Sequence, residues 1–209
     1  MNKKLLAMVA VGLLAGPMAA NAVLIDNGNF TTDTAGGLDW LDLTETNDLS
    51  YNDVSGQLGA GGLWEGWRYA TTAEAQGLFT ELGFTIGNSS GPIAAAPAGF
   101  MPALAQFTTL FGNTLGEFST RFGALGLTSQ SDVAGSHQRL GAYTANFDSH
   151  YFLETASTTC CDELDTTSEL YLGSYLVRNS VDVPEPGTLA LFGLGLAGLG
   201  FARRRRVTN

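Results

Sequence analysis

The chain has 209 residues, 44% of them hydrophobic and 14% charged, with a net charge of −10. It is too apolar for a disordered acidic tail and long enough for one domain with its own core. All 20 acidic residues lie between Asp26 and Glu185, opposed there only by Arg68, Arg121, Arg139 and Arg178. That stretch therefore carries −16, which makes nucleic acid and anionic lipid poor partners and favours solubility, cation binding and repulsion from anionic polymers.

Residues 1–22 have the layout of a secretory signal peptide: Lys3 and Lys4, an apolar run from Leu5 to Ala15, and Ala20-Asn21-Ala22 as cleavage site, with Val23 as the mature start. The apolar run is short for an uncleaved anchor. Export raises the question of disulfides. Cys160 and Cys161 are the only cysteines, and they are adjacent. Neighbouring Cα atoms sit about 3.8 Å apart, below the usual disulfide range of about 4.4–6.8 Å. A strained vicinal ring, an intermolecular bridge and reduced thiols stay open as alternatives. Two thiols beside Asp162 fall short of the four ligands of structural zinc, and no metal or cofactor is expected.

Residues 23–180 read as a single α+β domain. The 23–30 stretch is expected as an opening strand, with turn signals at Asn27-Gly28 and Gly36-Gly37. A second strand is expected over 38–42, with Leu38, Trp40 and Asp42 on one face and Asp39 and Leu41 on the other. Ser50 and Asp53 fit a capping box before a short helix reaching Leu58. Next comes Gly66-Trp67-Arg68-Tyr69-Ala70-Thr71-Thr72-Ala73-Glu74-Ala75. Thr71 and Glu74 form a second capping box, Ala75, Leu78, Phe79 and Leu82 share one buried face, and Gly83 closes the helix. Trp67 is expected against that face. Residues 88–102 are a Gly/Ala/Pro/Ser-rich loop. A helix over 102–111 places Leu104, Phe107, Thr108 and Phe111 together, and 115–127 is ambiguous. Strands are expected over 138–144, 149–154 and 169–178, with 160–163 a polar loop.

No G-x-S-x-G, H-E-x-x-H or phosphate-cradling loop is present. His137 and His150 each follow a serine. Asp148 is close to His150 in sequence, but strand neighbours face opposite ways, so both histidines read as ordinary surface residues. The acidic and amide residues Asp39, Asp42, Glu45, Asn47, Asp48 and Asp53 match no EF-hand spacing and read as a solvated face. The candidate binding residues are Trp64, Trp67 and Arg68. An Arg beside aromatics more often packs its stem and pairs with a carboxylate. A concave aromatic patch built from Trp40, Trp64 or Trp67 favours a binding module; buried indoles favour a structural role. No catalytic residue is found, so the chain is expected not to be an enzyme.

The tail has three parts. Residues 181–186 are a linker holding Val183, Pro184, Glu185 and Pro186. Residues 187–202 are 16 uncharged, mostly apolar residues. Residues 203–209 begin with Arg203, Arg204, Arg205 and Arg206. As a helix the apolar run spans about 24 Å. This is short against a bilayer core of about 30 Å, although the arginine stems can lengthen it by snorkelling. Basic residues after an apolar segment favour the cytoplasmic side, so 187–202 is expected as a transmembrane helix with a cytoplasmic tail. The prolines hold Glu185 on extended backbone. A plain single-pass anchor and a peptide presented to an enzyme both fit these residues.

Taken together, Pro184-Glu185-Pro186, the Gly/Leu-rich run and the arginine block resemble the PEP-CTERM sorting signal. That resemblance implies an exported protein whose tail is processed by a membrane-embedded exosortase, with a link to exopolysaccharide and biofilm, and an inner-membrane stage before the cell surface or the extracellular matrix. Separately, Trp40, Gly66, Trp67, Arg68, Thr71 and Glu74, with a returning strand through Tyr175 to Arg178, resemble bacterial C-type-lectin-like domains. The four-cysteine framework and the calcium-ligand tripeptide of the sugar-binding members are missing. This second resemblance implies a lectin-like fold, with polysaccharide or a cation as the ligand in a binding reading.

Overall fold

A computed structural model describes residues 23–86, 92–93, 98–116, 120–145, 150–155 and 162–180. The predicted signal peptide, the Cys160–Cys161 pair, the PEP motif, the apolar run and the arginine block lie outside the described residues. Val23–Val181 is one compact α+β unit.

The first stretch is two strands rather than one, Leu24–Asp26 (β1) and Phe30–Asp33 (β2). Asp26 Oδ1 accepts the Gly28 N–H at 2.7 Å and Asn27 N–H reaches Phe30 O at 2.9 Å, so the chain turns back at Asn27-Gly28. Leu38–Leu41 (β3) follows. Both of its faces are covered: Trp40 enters one core cluster and Leu41 the other. A 3₁₀ turn, Leu43–Thr46, leads to the helix Tyr51–Ser55 (α1), which ends three residues short of Leu58 but carries the full Ser50–Asp53 capping box.

Arg68–Tyr69 (β4) precedes the helix Thr72–Glu81 (α2). Both halves of its predicted capping box form: Glu74 N–H donates to Thr71 Oγ1 at 3.1 Å, and Thr71 N–H to Glu74 Oε2 at 2.8 Å. Gly83, at φ +94°, takes the left-handed position after the helix. Ala75, Leu78, Phe79 and Leu82 are all buried. Trp67 does not cover them. Phe79 meets Phe107 at 5.0 Å, Phe84 at 5.1 Å and Tyr175 at 6.4 Å, and these rings fill the space expected for Trp67.

Pro92–Ile93 (β5) interrupts the expected loop, and Phe100–Phe111 (α3) starts two residues before Pro102. Pro102 sits in the first turn, where its missing N–H leaves no intrahelical bond unmade. The ambiguous segment yields Arg121–Leu127 (β6), followed by Ser136–Ala145 (β7) and His150–Thr155 (β8). Part of the expected polar loop is a strand, Asp162–Leu164 (β9), which pairs with β7.

The expected closing strand is two: Leu172–Ser174 (β10) and Leu176–Asn179 (β11). They belong to different sheets. One sheet has the order β1-β2-β3-β11-β4; the other runs β10-β6-β7-β8-β5 with β9 on β7. Tyr175 is the crossing point. Its N–H donates to Leu127 O at 2.9 Å in one sheet, and its carbonyl accepts Ala70 N–H at 2.8 Å beside the other. Its ring is 1% exposed and meets Trp40 edge-on at 6.4 Å. A first cluster packs α2 and α3 against Trp40, Tyr175, Leu140 and Leu153; a second joins Leu41, Val54, Tyr69, Leu125, Leu127 and Leu176. Among the described residues no helix is long and apolar enough to cross a membrane.

Candidate functional site: an aromatic hollow on the first sheet

The register of the first sheet builds the site. In the β3–β11 pair Arg178 stands opposite Asp39, and in the β2–β3 pair Asp39 stands opposite Thr32. Arg178 Nε donates to Asp39 Oδ2 at 3.0 Å, and Thr32 Oγ1 donates to Asp39 Oδ1 at 2.7 Å. With both oxygens engaged, Asp39 holds the guanidinium in place. Its carbon lies 4.4 Å from the Trp67 ring centre and 4.9 Å from that of Phe30, a cation–π arrangement on both sides. Phe30 and Trp67 meet edge-on at 6.4 Å.

Trp64 and Trp67 come from the loop between α1 and β4. Its backbone is tied down by Trp64 N–H to Gln57 O at 3.1 Å, Gly62 N–H to Gly59 O at 3.0 Å and Trp67 N–H to Trp64 O at 3.0 Å. Gly61 N–H also reaches Glu65 Oε2 at 2.9 Å. At Gly62 a Cβ would lie 2.1 Å from Gln57 O, so only glycine permits this close approach. The loop thus presents its two indoles from a hydrogen-bonded frame. The result is a hollow of about 430 Å³ lined by Asn29, Phe30, Leu41, Glu45, Leu63, Trp64, Trp67 and Arg178.

The three candidate binding residues therefore separate. Trp64 and Trp67 share the hollow. Arg68 is outside it, with Nη2 2.7 Å from Glu74 Oε1 and Nη1 3.0 Å from Glu74 Oε2. That fork, with lesser help from Thr71, draws the Glu74 carboxyl down to about 2. Trp40 is 2% exposed and belongs to the core. Phe30 and Arg178 were not among the candidates. The pairing of 169–178 with the start of the chain was the available signal, because it sets Arg178 across from Asp39.

The expected acidic face is dispersed among separate roles. Asp39 is ion-paired, Asp53 closes a capping box, and Asp48 sits at φ 61° with its N–H on Glu169 O. Asp42 is 9% exposed, and its Oδ1 is buried without a hydrogen-bond partner among the described residues. Burial first, then Asp26 and Glu45, push its carboxyl up to about 7. Among the described residues no group of three His, Cys, Asp or Glu side chains is placed to hold a metal ion.

His137 is not an ordinary surface residue. Its ring stacks on Tyr51 at 3.4 Å, Tyr51 stacks on Tyr69 at 4.2 Å, and Nδ1 lies 2.6 Å from Asp165 Oδ1. Ser136 Oγ donates to Val133 O at 2.9 Å, so this serine and histidine are committed to separate partners. The side chain of His150 lies outside the described residues.

Residues 182–206 match the family model of the PEP-CTERM protein-sorting motif. That segment contains Pro184, Glu185 and Pro186, the apolar run and all four tail arginines. No curated protein and no solved structure matches the chain.

Proposed function

We propose that this chain, a PEP-CTERM sorting-signal protein, is a non-enzymatic surface or matrix protein. It enters export through residues 1–22, is held by 187–202 as a single inner-membrane span with Arg203 to Arg206 in the cytoplasm, and is released outward by an exosortase acting at the PEP peptide. The observation that carries this reading is the match over 182–206, the segment in which proline-fixed backbone, apolar run and basic block follow one another. An association with exopolysaccharide and biofilm belongs to the same proposal. The non-enzymatic reading is supported by the separate engagement of Ser136 and His137, since a nucleophile needs its base within reach.

The test replaces Pro184 and Pro186 by alanine in a chain tagged after Asn209. The variant is expected to insert normally and stay full length in the inner membrane, while the parent loses the tag and moves outward in exosortase-bearing cells. Equal loss of the tag from both, or retention by both where the enzyme is active, would overturn the processing role. A C-terminal tag digested from the periplasmic side in cells lacking the enzyme would overturn the membrane orientation.

A second reading has an observation of its own. The hollow lined by Trp64 and Trp67 supports a binding module for matrix polysaccharide. The C-type-lectin-like reading of the fold is part of it, supported by β11 returning to lie between β3 and β4 and by the capped helix after Trp67 and Arg68. The cation form of this reading has less support, since the acidic and amide residues around 39–53 are spread over separate structural roles.

A further inference from the structure

We propose that the hollow binds a neutral pyranose, with the sugar ring against Trp64 and a pair of adjacent hydroxyls held between the Arg178 guanidinium and the Glu45 carboxylate. This rests on the reading of the exported domain as a polysaccharide-binding module, and it names the site and the sugar class.

Three unused capacities meet in one place. Trp67 meets Phe30 edge-on and has Arg178 over its ring, whereas Trp64, half-buried against the second core cluster, has no ring or cation partner among the described residues. Arg178 spends Nε on Asp39, and its two terminal nitrogens have no hydrogen-bond partner among the described residues. The Glu45 carboxylate likewise has no hydrogen-bond partner among them. A hydroxyl both donates and accepts, guanidinium nitrogens only donate, and an ionised carboxylate only accepts. A vicinal diol satisfies a donor and an acceptor at once, and the C–H face of a pyranose suits an indole. The volume of about 430 Å³ falls at the small end of ligand sites, about 300–1,000 Å³.

Charge selects against acidic sugars. The Arg178 charge is already balanced by Asp39, leaving Glu45 as the net charge of the lining. A uronate meets that local field and the net −14 of residues 23–180. The hydrogen-bonded loop and the contact at Gly62 set Trp64 in position before any ligand arrives, which lowers the ordering cost of binding.

The experiment uses the compact Val23–Val181 unit on an array of neutral hexopyranose oligomers and uronate oligomers of equal length. The strongest neutral binder is then followed by titration against Trp64→Ala and Glu45→Gln. Binding of neutral oligomers with the uronates blank is expected, undiminished by a chelator. Trp64→Ala should weaken it about tenfold and Glu45→Gln about fivefold. Glu45 is exposed, so its variant should keep the parent's near-ultraviolet circular dichroism and remain informative if Trp64→Ala fails to fold. Binding that survives both substitutions, or binding of uronates only, overturns this site and leaves the binding module standing. A folded domain that binds no glycan overturns both.

Discussion

Asp42 allows a quantitative test of burial in this fold. Its carboxyl is raised from 3.8 to about 7, chiefly by desolvation and then by Asp26 and Glu45. The folded state therefore holds this proton more tightly than the unfolded chain. Stability contributed by the neutral form is fully present below pH 3.8 and is lost as the pH rises through the folded value near 7, above which nothing more is lost. Asp42→Asn replaces the carboxyl by an amide that does not ionise. Urea unfolding of parent and variant from pH 4 to 9 reports on this group and its coupling to Asp26 and Glu45, because the remaining titrations are common to both chains. A shift of about 3 units is worth about 4 kcal/mol at most. Part of it comes from Asp26 and Glu45, which are exposed and screened by water and salt. The expected gain of the variant over the parent is thus about 2 kcal/mol at pH 8. It should be near zero at pH 4 and saturate above pH 7. In 1 M salt the part due to Asp26 and Glu45 should shrink while the part due to burial stays. A constant difference across the range would refute the reasoning, and so would a gain that appears only on acidification.

Leu78 is 2% exposed in the first core cluster, so Leu78→Ala should cost about 2–5 kcal/mol in the same urea assay; an unchanged midpoint would show that the helix face is not core. The Arg68–Glu74 fork is half exposed on the arginine side. Arg68→Ala should therefore cost no more than about 1 kcal/mol, while the Glu74 carboxyl, followed by nuclear magnetic resonance, rises from about 2 towards the ordinary carboxylate range.

What the sequence determined by itself is local. The Ser50–Asp53 and Thr71–Glu74 boxes, the face of Ala75, Leu78, Phe79 and Leu82, and the turn at Gly83 depend on residues three or four apart. Their hydrogen bonds and shared burial follow from helical geometry whatever lies around them. The tail is legible for the same reason: prolines, an uncharged run and a block of arginines act in sequence without a folded partner. The tertiary structure decided what depends on distant pairing. The 169–178 run has the composition of one strand, and it divides at Tyr175 only because Leu127 and Ala70, from opposite sides of the fold, claim its N–H and its carbonyl. Asp162–Leu164 becomes a strand because the start of β7, Ser136 to Gln138, runs past the end of its pairing with β8 and takes β9 there. Trp67 is drawn away from α2 because Phe84, Phe107 and Tyr175 already fill that face, and it closes instead on Phe30 and Arg178. The hollow exists because β2, β3 and β11 bring Phe30, Asp39 and Arg178 into register across more than a hundred residues of chain, a relation that no local pattern contains.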